Sequence, residues 1–264
     1  MKNELQLMPT YWASVSGGKD SLFMLKLILS NLNRYPLNGV VHFELEIDYP
    51  FIKNVIDEME RDCKRHGIPF VRIRPRKTWE ELFYTVTEAG YIYGFPTRRA
   101  RWCNSKYKLD AKKQLIEFMN SLGKDVIFYI GYCADETKRF NKRKNRKEIY
   151  PLVENGISEK FILEWAKTVD IFNNYYLSNR RCGCMYCPLA SRIAQAYLYK
   201  YYPEQWNYML EKMRETELIM CERYGREKFS CVSGNPKYNA DYLEHIIKTK
   251  WIYKLEEIEK EKEV

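Results

Sequence analysis

The amino-acid sequence predicts an α/β protein with a parallel twisted sheet that carries helices on both faces, followed by a helical, cysteine-containing C-terminal region. Apolar segments of strand length alternate with segments of helical periodicity over the first 150 residues, which is typical of parallel sheets. The segment 125–134 is a nearly continuous apolar run, as expected of a strand covered on both faces. Beyond Tyr150-Pro151 the pattern becomes helical, so we expect two domains, 1–150 and 151–264.

Each element has its own signal. The predicted strands are apolar or alternate, and they lie at 10–16, 39–47, 68–75 and 125–134. The predicted helices have apolar residues at helical spacing, and they lie at 22–32, 50–67, 78–90, 108–123, 158–169, 203–225 and 238–263. Thr78 and Glu81 fit a capping box at the start of the helix at 78–90. Because such sheets bind ligands beyond the carboxyl ends of their strands, the loops after residues 16, 48, 75 and 132 are the places to search for a site.

The composition sets the broad class of protein. The net charge is +9 and the pI is near 9.0, which suits a nucleic-acid or other polyanionic partner and suits a merely soluble, lysine-rich surface equally well. No run of about 18 apolar residues is present, so we expect no membrane span. The N-terminus, Met1-Lys2-Asn3-Glu4, lacks the basic start and apolar core of a secretory signal. We therefore expect a cytoplasmic protein without membrane contact.

A short polar loop follows the first predicted strand, with the sequence Ser16-Gly17-Gly18-Lys19-Asp20-Ser21. Adjacent glycines let main-chain N–H groups approach an anion closely, and the following helix directs its positive end toward the same place. Ser16 and Ser21 offer hydroxyl groups, and Lys19, expected to be an exposed loop lysine, adds a charge. The loop is thus predicted to be a phosphate cradle, with Ser14 just upstream as a further binding residue; the alternative is a tight turn built from turn-forming residues.

This loop is neither a Walker A motif nor G-x-G-x-x-G, since Ala13 and Asp20 stand where Walker A needs a glycine and a hydroxyl residue. It resembles the PP-loop, S-G-G-x-D-S, of the ATP pyrophosphatase superfamily, and the match over residues 16–21 is complete. The resemblance implies ATP binding, with the β,γ-pyrophosphate and Mg²⁺ held by the loop, and cleavage between the α- and β-phosphates. It also implies catalytic roles for Lys19 and Asp20, and for Asp135 further along the chain.

Three further blocks narrow the resemblance. They are "GFPTRRARWCNSKYKLDAKKQ" at 94–114, "IGYCADETKR" at 130–139, and "YPLVENGISEKFILEWAKTV" followed by "RRCGCMYCPLA" at 180–190. Each is similar to a block of the phosphoadenosine phosphosulfate reductase-like branch of the superfamily. Together with the loop they cover roughly residues 12–190. The branch includes relatives that act in DNA phosphorothioation and tRNA thiolation.

Charged residues in these blocks have a chemistry of their own. Guanidinium groups match the geometry of phosphate or sulfate, and basic residues crowd the first block at Arg98, Arg99, Arg101, Lys106 and Lys108. A solvated basic face is the alternative. Asp135 and Glu136 follow a strand at the presumed ligand edge, where carboxylates could hold Mg²⁺ or a ribose or could simply cap a helix. Arg139 is placed to meet a phosphate.

The segment "KRFNKRKNRK" at 138–147 has seven basic residues in ten. Its composition suits a loop that closes over a polyanion, including a nucleic-acid backbone. A solvated loop is the equally weighted alternative.

The cysteines are unevenly spaced. Cys184 and Cys187 form a C-x-x-C pair with Cys182 just before it, and Cys103 lies in the arginine-rich block. Four thiolates fit either Zn²⁺ or a [4Fe–4S] cluster, and a structural or redox pair is the alternative. The resemblance points to iron–sulfur or zinc at Cys103, Cys184 and Cys187, with Cys182 additional, and it favours [4Fe–4S]. Cys133 is an alternative ligand, whereas the other cysteines and the three histidines are expected to be incidental.

The chain departs from true sulfonucleotide reductases at a decisive place. Those enzymes carry a C-terminal E-C-G-[LI]-H motif, which is absent after residue 190, while the PP-loop here is intact. We therefore favour an adenylating enzyme that acts in sulfur transfer, with a nucleic-acid or sulfate-containing substrate and a separate sulfur donor protein. A PAPS or APS reductase and a non-catalytic nucleotide- or nucleic-acid-binding module are the alternatives. The oligomeric state, including a homo-oligomer, is left open.

Overall fold

The computed structural model describes residues 7–137, 139, 147–231 and 235–263, and these divide into two units. The first unit holds the chain up to residue 76, together with 108–176 and 180–182. The second unit holds 77–107, 177–179 and the chain from 183 onward. This division differs from the boundary expected near residue 150.

The first unit is built on a parallel sheet, as predicted, and the sheet has five strands. Its strands are β1 Met8–Val15, β2 Gly39–Phe43, β3 Phe70–Ile73, β4 Lys124–Tyr129 and β5 Glu148–Ile149. Their order is β3-β2-β1-β4-β5, and every neighbouring pair is parallel. The chain thus builds outward from β1 in one direction and then returns to build outward in the other, so the order reverses between β1 and β4.

The helices follow the predicted alternation. They are α1 Lys19–Leu29, α2 Pro50–Arg65, α3 Trp79–Phe83, α4 Leu109–Ser121, α5 Pro151–Glu154, α6 Glu159–Lys167, α7 Tyr175–Ser178, α8 Arg192–Tyr201, α9 Pro203–Tyr224, α10 Ala240–Ile246 and α11 Ile252–Glu263. Two π-helical turns adjoin them, Cys103–Lys108 before α4 and Ile247–Trp251 before α11. None of the helices in the described part of the chain has the length and apolar character needed to span a membrane.

Both faces of the sheet are covered. On one face Trp12 of β1 and Phe128 of β4 pack with Leu115 and Met119 of α4 in a buried cluster. Successive side chains of a strand point to opposite faces, so Tyr11 lies on the other face, where its ring stacks on Tyr129 at 6.0 Å. This two-sided burial explains why the strands are apolar with little alternation.

The helical region predicted at 151–264 is divided between the two units, and the reason lies in how α6 packs. Phe23 of α1 meets the rings of Phe161 and Trp165 of α6 edge-on, at 5.8 and 5.1 Å. These contacts attach α6 to the first unit, although its sequence pattern resembles that of the later helices. Sequence periodicity reports that a helix has an apolar face, and it carries no information on which neighbour covers that face.

The predicted helix at 78–90 is much shorter in the structure. Its start is confirmed, because the Thr78 hydroxyl accepts from the Glu81 N–H and the Glu81 carboxylate accepts from the Thr78 N–H. It ends at Phe83, and the chain then makes a tight antiparallel turn in which Val86 pairs with Ile92. Neither β5 nor α8 was predicted, since β5 has two residues and α8 follows directly on the cysteine-rich segment.

The second unit is helical and rich in aromatic contacts. Trp79 of α3 lies 5.7 Å from Trp102 and 5.5 Å from Tyr186 between ring centroids. The buried Lys212 of α9 donates to the Tyr84 hydroxyl at 2.5 Å. Glu217, also buried on α9, accepts the backbone N–H groups of Cys231 and Ala240. Such fully bonded buried polar groups fix the loops around the helices.

Gly39 offers a direct test of packing in the sheet. A Cβ at this residue would lie 2.6–2.9 Å from three ring carbons of Trp12, its partner on β1. Because the ring is fixed in the core, we expect Gly39→Ala to lower the free energy of unfolding by about 1–3 kcal/mol, measured by urea denaturation. In a Trp12→Leu background the same substitution should cost clearly less. Equal costs in the two backgrounds would show that the contact does not limit residue 39.

Candidate active site

A cavity of about 320 Å³ opens at the carboxyl ends of β1 and β4, within the first unit. It lies where the strand order reverses, which is where open parallel sheets bind their ligands. Its volume is at the lower end of small-molecule sites. The polar and glycine residues that line it are Ser14, Ser16, Gly18, Asp20, Ser21, Gly131, Tyr132, Arg139, Tyr176, Arg181 and Cys182. Many of the residues predicted for phosphate binding are therefore brought together here.

The loop after β1 needs its two glycines for different reasons. Gly17 has φ +74°, and a Cβ there would lie 2.6 Å from Cγ2 of Ile52. Gly18 is extended and is the N-cap of α1, with no side chain to bond the N–H groups of the first turn. The Ser21 hydroxyl accepts the Ser16 N–H at 3.2 Å and donates to the Gly18 carbonyl at 2.9 Å. The serines thus hold the loop open around the positive end of α1.

Lys19 is buried, with 1% of its surface exposed, so the expectation of an exposed loop lysine is wrong. Its Nζ lies 2.6 Å from Oδ1 of Asp20 and 3.9 Å from Oε1 of Glu159. Its backbone N–H donates to the hydroxyl of Tyr176 at 2.9 Å. A lysine can be kept charged in such a place only when carboxylates accompany it. Lys19 is therefore a fixed charge of the site.

Asp20 is held in an environment that opposes its charge. Burial raises the pKa of this carboxyl, and the adjacent Lys19 ammonium offsets only part of that effect. The Cys133 thiol donates to Oδ1 of Asp20 at 3.4 Å. Burial also raises the pKa of Cys133, so the sulfur keeps its proton and acts as the donor. Asp20 is accordingly a desolvated carboxylate whose charge a cation would stabilise.

Gly131, which follows β4, is a residue that sequence reasoning missed as part of the site. A Cβ at this residue would lie 3.0 Å from the backbone oxygen of Asp20 and 3.2 Å from the backbone nitrogen of Ser21. The β4 loop and the start of α1 therefore approach each other backbone to backbone. The glycine in the 130–139 block was the available signal, because close backbone approach is a common reason for a glycine after a strand.

Arginines bridge the carboxylates beside the cavity. Arg181 donates from Nε to Glu159 at 2.8 Å and from Nη2 to Glu136 at 3.1 Å. Arg139 donates to the same Glu136 oxygen at 2.5 Å. The bond from Arg181 is the main reason that the pKa of Glu159 is lowered. Arg139 lines the cavity, and Glu136 is bonded to it without lining the cavity itself. Their predicted binding roles stay predictions, and Arg181 and Glu159 were not proposed as ligand-binding residues.

Asp135 has a different position from the one its predicted catalytic role suggests. It is exposed, it is absent from the residues that line the cavity, and its Oδ1 accepts the Glu159 N–H at 2.9 Å. This is the helix-capping alternative, realised at the start of α6. A catalytic role for Asp135 stays a prediction.

The predicted arginine block lies in the second unit. Arg98, Arg99, Arg101 and Lys106 are exposed there, and Lys108 falls in the first unit. Most of the predicted basic loop at 138–147 lies outside the described residues, with Arg139 and Lys147 as the exceptions. The phosphate- and polyanion-binding roles of these residues stay predictions.

The predicted metal ligands are also divided between the units. Cys103, Cys184 and Cys187 belong to the second unit and Cys182 to the first. Cys184 and Cys187 form one turn, in which the Cys187 N–H donates to the Cys184 carbonyl at 3.2 Å. None of the eight cysteines is in a disulfide. Across the described residues, no group of three or more histidine, cysteine or acidic side chains is arranged to hold a metal ion, and the metal assignment stays a prediction.

Comparison with known proteins gives few matches. No family model matches the chain. It is 26% identical over 216 residues to Uncharacterized protein MJ0973 of Methanocaldococcus jannaschii, a match that covers 76% of this chain and 47% of that protein. The chain thus spans about half the length of this curated relative. Among solved structures it is similar to the U34-tRNA thiolase NcsA from Methanococcus maripaludis with its [4Fe–4S] cluster, with TM-score 0.41 and 17% identity, over 79% of this chain and 72% of that one. A likeness of this extent leaves the functional argument to the chain's own residues.

Asp48, in the loop between β2 and α2, gives the stability of the first unit a testable pH dependence. Burial raises its pKa from 3.8 to about 6, with Lys108 opposing the shift. Between these values the folded protein holds a proton that the unfolded chain releases, so the free energy of unfolding falls as pH rises through that window. We expect Asp48→Asn to remove this fall and to raise stability near pH 7 by about 1–3 kcal/mol.

The measurement is chemical denaturation at a series of pH values. The exposed Asp170 of the same unit provides the control, and Asp170→Asn should run parallel to the wild type. The gain from Asp48→Asn should disappear near pH 4. A gain that is independent of pH would mean that Asp48 does not titrate in this window.

Proposed function

We propose that the first unit binds ATP at the loop after β1 and cleaves it between the α- and β-phosphates, releasing pyrophosphate and adenylylating an acceptor. The observation that carries this proposal is the Ser16–Ser21 loop with its buried Lys19, which lies at the point where the strand order reverses. Its sequence matches the PP-loop at every defined position. The positive φ of Gly17 and the N-cap without a side-chain bond support an anion site over a simple turn.

We assign the pyrophosphate end of the nucleotide to the N-terminus of α1. The N-cap Gly18 has no side chain to bond the first turn, and of the N–H groups there the one at Lys19 is taken by the Tyr176 hydroxyl, so the remaining N–H groups and the positive end of α1 can face an anion. Lys19 and Arg181 supply fixed positive charges beside it. In this structure each of them meets carboxylates, and phosphate oxygens would compete for the same donors.

Mg²⁺ fits the donors that the site offers. It prefers hard oxygen ligands and is commonly bound by one or two carboxylates together with substrate phosphates. Asp20, whose burial raises its pKa, and Glu136, which is buried among cations, are the residues that would hold it. When bound, the ion would neutralise charge on the phosphates and polarise the bond to be cleaved.

The chain's own groups account for the remaining steps. An oxygen of the acceptor attacks the α-phosphorus, its bond to phosphorus forms, and the bond from the α-phosphorus to the bridging oxygen breaks. Negative charge then develops on the departing pyrophosphate, and Lys19, Arg181 and the N–H groups of α1 stabilise it. Such groups are effective because they are already fixed in place before the reaction.

The fate of the adenylylated acceptor is the less specific part of the proposal. We propose that sulfide supplied by a separate donor attacks the acceptor carbon, so that the carbon–sulfur bond forms, the carbon–oxygen bond breaks and AMP leaves with that oxygen; the support is the likeness of three sequence blocks to a branch with thiolation relatives. The net charge of +9 supports a nucleic-acid acceptor, to which a basic surface is attracted.

Substitution of Lys19 tests the catalytic assignment. Lys19→Met should lower the rate of ATP-dependent pyrophosphate release by at least about 100-fold, because a fixed charge on the leaving group is lost. The control is Lys26→Met, which removes a largely exposed lysine of the same helix. The rate is measured with a coupled phosphate assay in the presence and absence of nucleic acid.

Because Lys19 is buried against Asp20, its loss also leaves an uncompensated carboxylate and lowers stability. Arg181→Ala therefore serves as a second variant, since more than half of that side chain is exposed. It should fold normally and should still lower pyrophosphate release. Unchanged pyrophosphate release in both folded variants would contradict the roles assigned to Lys19 and Arg181. Absence of release by the wild type with every acceptor tested would contradict the proposal itself.

The metal prediction is tested by elemental analysis after anaerobic purification. The sequence-based assignment expects iron and inorganic sulfide in the wild type and their loss in Cys184→Ser. The matched control is Cys221→Ser, which changes a half-buried cysteine of α9 outside the cysteine-rich segment. One equivalent of zinc without iron would remove the cluster, and a metal-free wild type would remove the metal assignment altogether.

A further inference from the structure

The second unit contains a cavity of its own, of about 520 Å³, which the proposed ATP chemistry does not use. The start of α8, the middle of α9 and the π-helical turn at Ile247–Trp251 contribute to its wall. Its floor is apolar and includes Phe95, Met209 and Leu243. This volume and this mixture of apolar and polar walls are typical of small-molecule sites.

Three cations line this cavity, and no acidic residue does. They are Arg98, Arg192 and Lys250. Within the described residues none of the three forms an ion pair. Arg192 is the first residue of α8 and donates to the Gln195 side chain at 2.6 Å, which holds its guanidinium in one orientation. Burial and the positive charge of the nearby Arg98 both lower the pKa of Arg192.

Aromatic side chains form another part of the wall. Tyr238, Tyr242 and Trp251 all line the cavity. The rings of Tyr238 and Tyr242 meet edge-on, with centroids 5.0 Å apart, so their orientations are fixed by each other. Flat rings of this kind provide stacking surfaces for a nucleobase. A site that bound inorganic phosphate alone would gain no affinity from these aromatic rings.

We propose that this cavity binds a nucleotide unit, with its phosphate on Arg98, Arg192 and Lys250 and its base against Tyr242 and Trp251. Arg192 is the first residue of the ten-residue α8, and the Ser191 hydroxyl already accepts the Ala194 N–H at that end, so the attraction for the phosphate is assigned to the three cationic side chains. The unit could come from a free mononucleotide or from a strand of nucleic acid, because both present the same phosphate and base. The site lies wholly in the second unit and is independent of ATP cleavage in the first.

Binding of cytidine 5′-monophosphate to the full chain tests this inference, since a pyrimidine nucleotide separates the cavity from an adenine-specific site. Titration calorimetry compares it with cytidine and with inorganic phosphate, and the nucleotide should bind more tightly than either. Arg192→Ala should weaken its binding by at least about tenfold, through loss of a charged hydrogen bond. Trp251→Leu should weaken it by a similar factor, through loss of stacking.

The control is Arg226→Ala, which removes an exposed arginine of the same unit that does not line the cavity. It has the same change of net charge as Arg192→Ala, and it should alter binding by less than about twofold. The photoreactive analogue 5-iodouridine 5′-monophosphate adds a positional readout. Its cross-links should fall on Tyr242 or Trp251, as mapped by peptide mass spectrometry.

Comparison of cytidine 5′-monophosphate with tricytidylate distinguishes a free nucleotide from a strand of nucleic acid as the source of the bound unit. Tighter binding of the trinucleotide would indicate a nucleic-acid strand, and its exclusion would indicate a free nucleotide; both support the site. Equal affinity for phosphate and nucleotide, equal weakening by Arg192→Ala and Arg226→Ala, or cross-links elsewhere would overturn it. Lys19→Met should leave this binding intact, so a failure of ATP cleavage and a failure of this inference can be told apart.

Discussion

The first unit depends on the close approach of two backbones, that of Gly131 after β4 and that of Asp20 at the start of α1. Strand order reverses between β1 and β4, so the segments that follow these strands diverge and leave a crevice. The missing side chain at residue 131 lets the β4 loop close one end of that crevice. Cys133 and Glu136, which follow on the same loop, are thereby brought against Asp20 and Arg181.

The acidic and basic side chains in this crevice stabilise one another. Burial of a lone lysine or carboxylate costs several kcal/mol, and Lys19, Asp20 and Glu159 offset this cost for each other. Arg181 then extends the network to Glu136. With Arg139, which also pairs with Glu136, the network has three basic and three acidic side chains. An incoming polyphosphate adds negative charge, and a divalent cation beside Asp20 and Glu136 would restore the balance.

Local features of this protein were predictable from sequence, and features that join distant segments were not. The Thr78–Glu81 capping box spans four residues and is present as predicted. The burial of Lys19 depends on Tyr176, which is 157 residues away along the chain, and no local pattern indicates that contact. The glycine loop could be recognised because its backbone requirements are local. The partners of Arg181 could not, since they are fixed by how α6 packs on α1.

The cavity of the second unit differs from this crevice, because cationic side chains line it without acidic partners among the described residues. Arg98 and Arg192 both line this cavity, no acidic side chain of the described residues lines it, and the charge of Arg98 lowers the pKa of Arg192. Surface arginines ordinarily avoid this by turning toward water or toward a carboxylate, as Arg214 does with Asp241. Arg192 is instead held in place by Gln195. A phosphate bound between the two groups would offset their like charges, which is the physical basis of the proposed site.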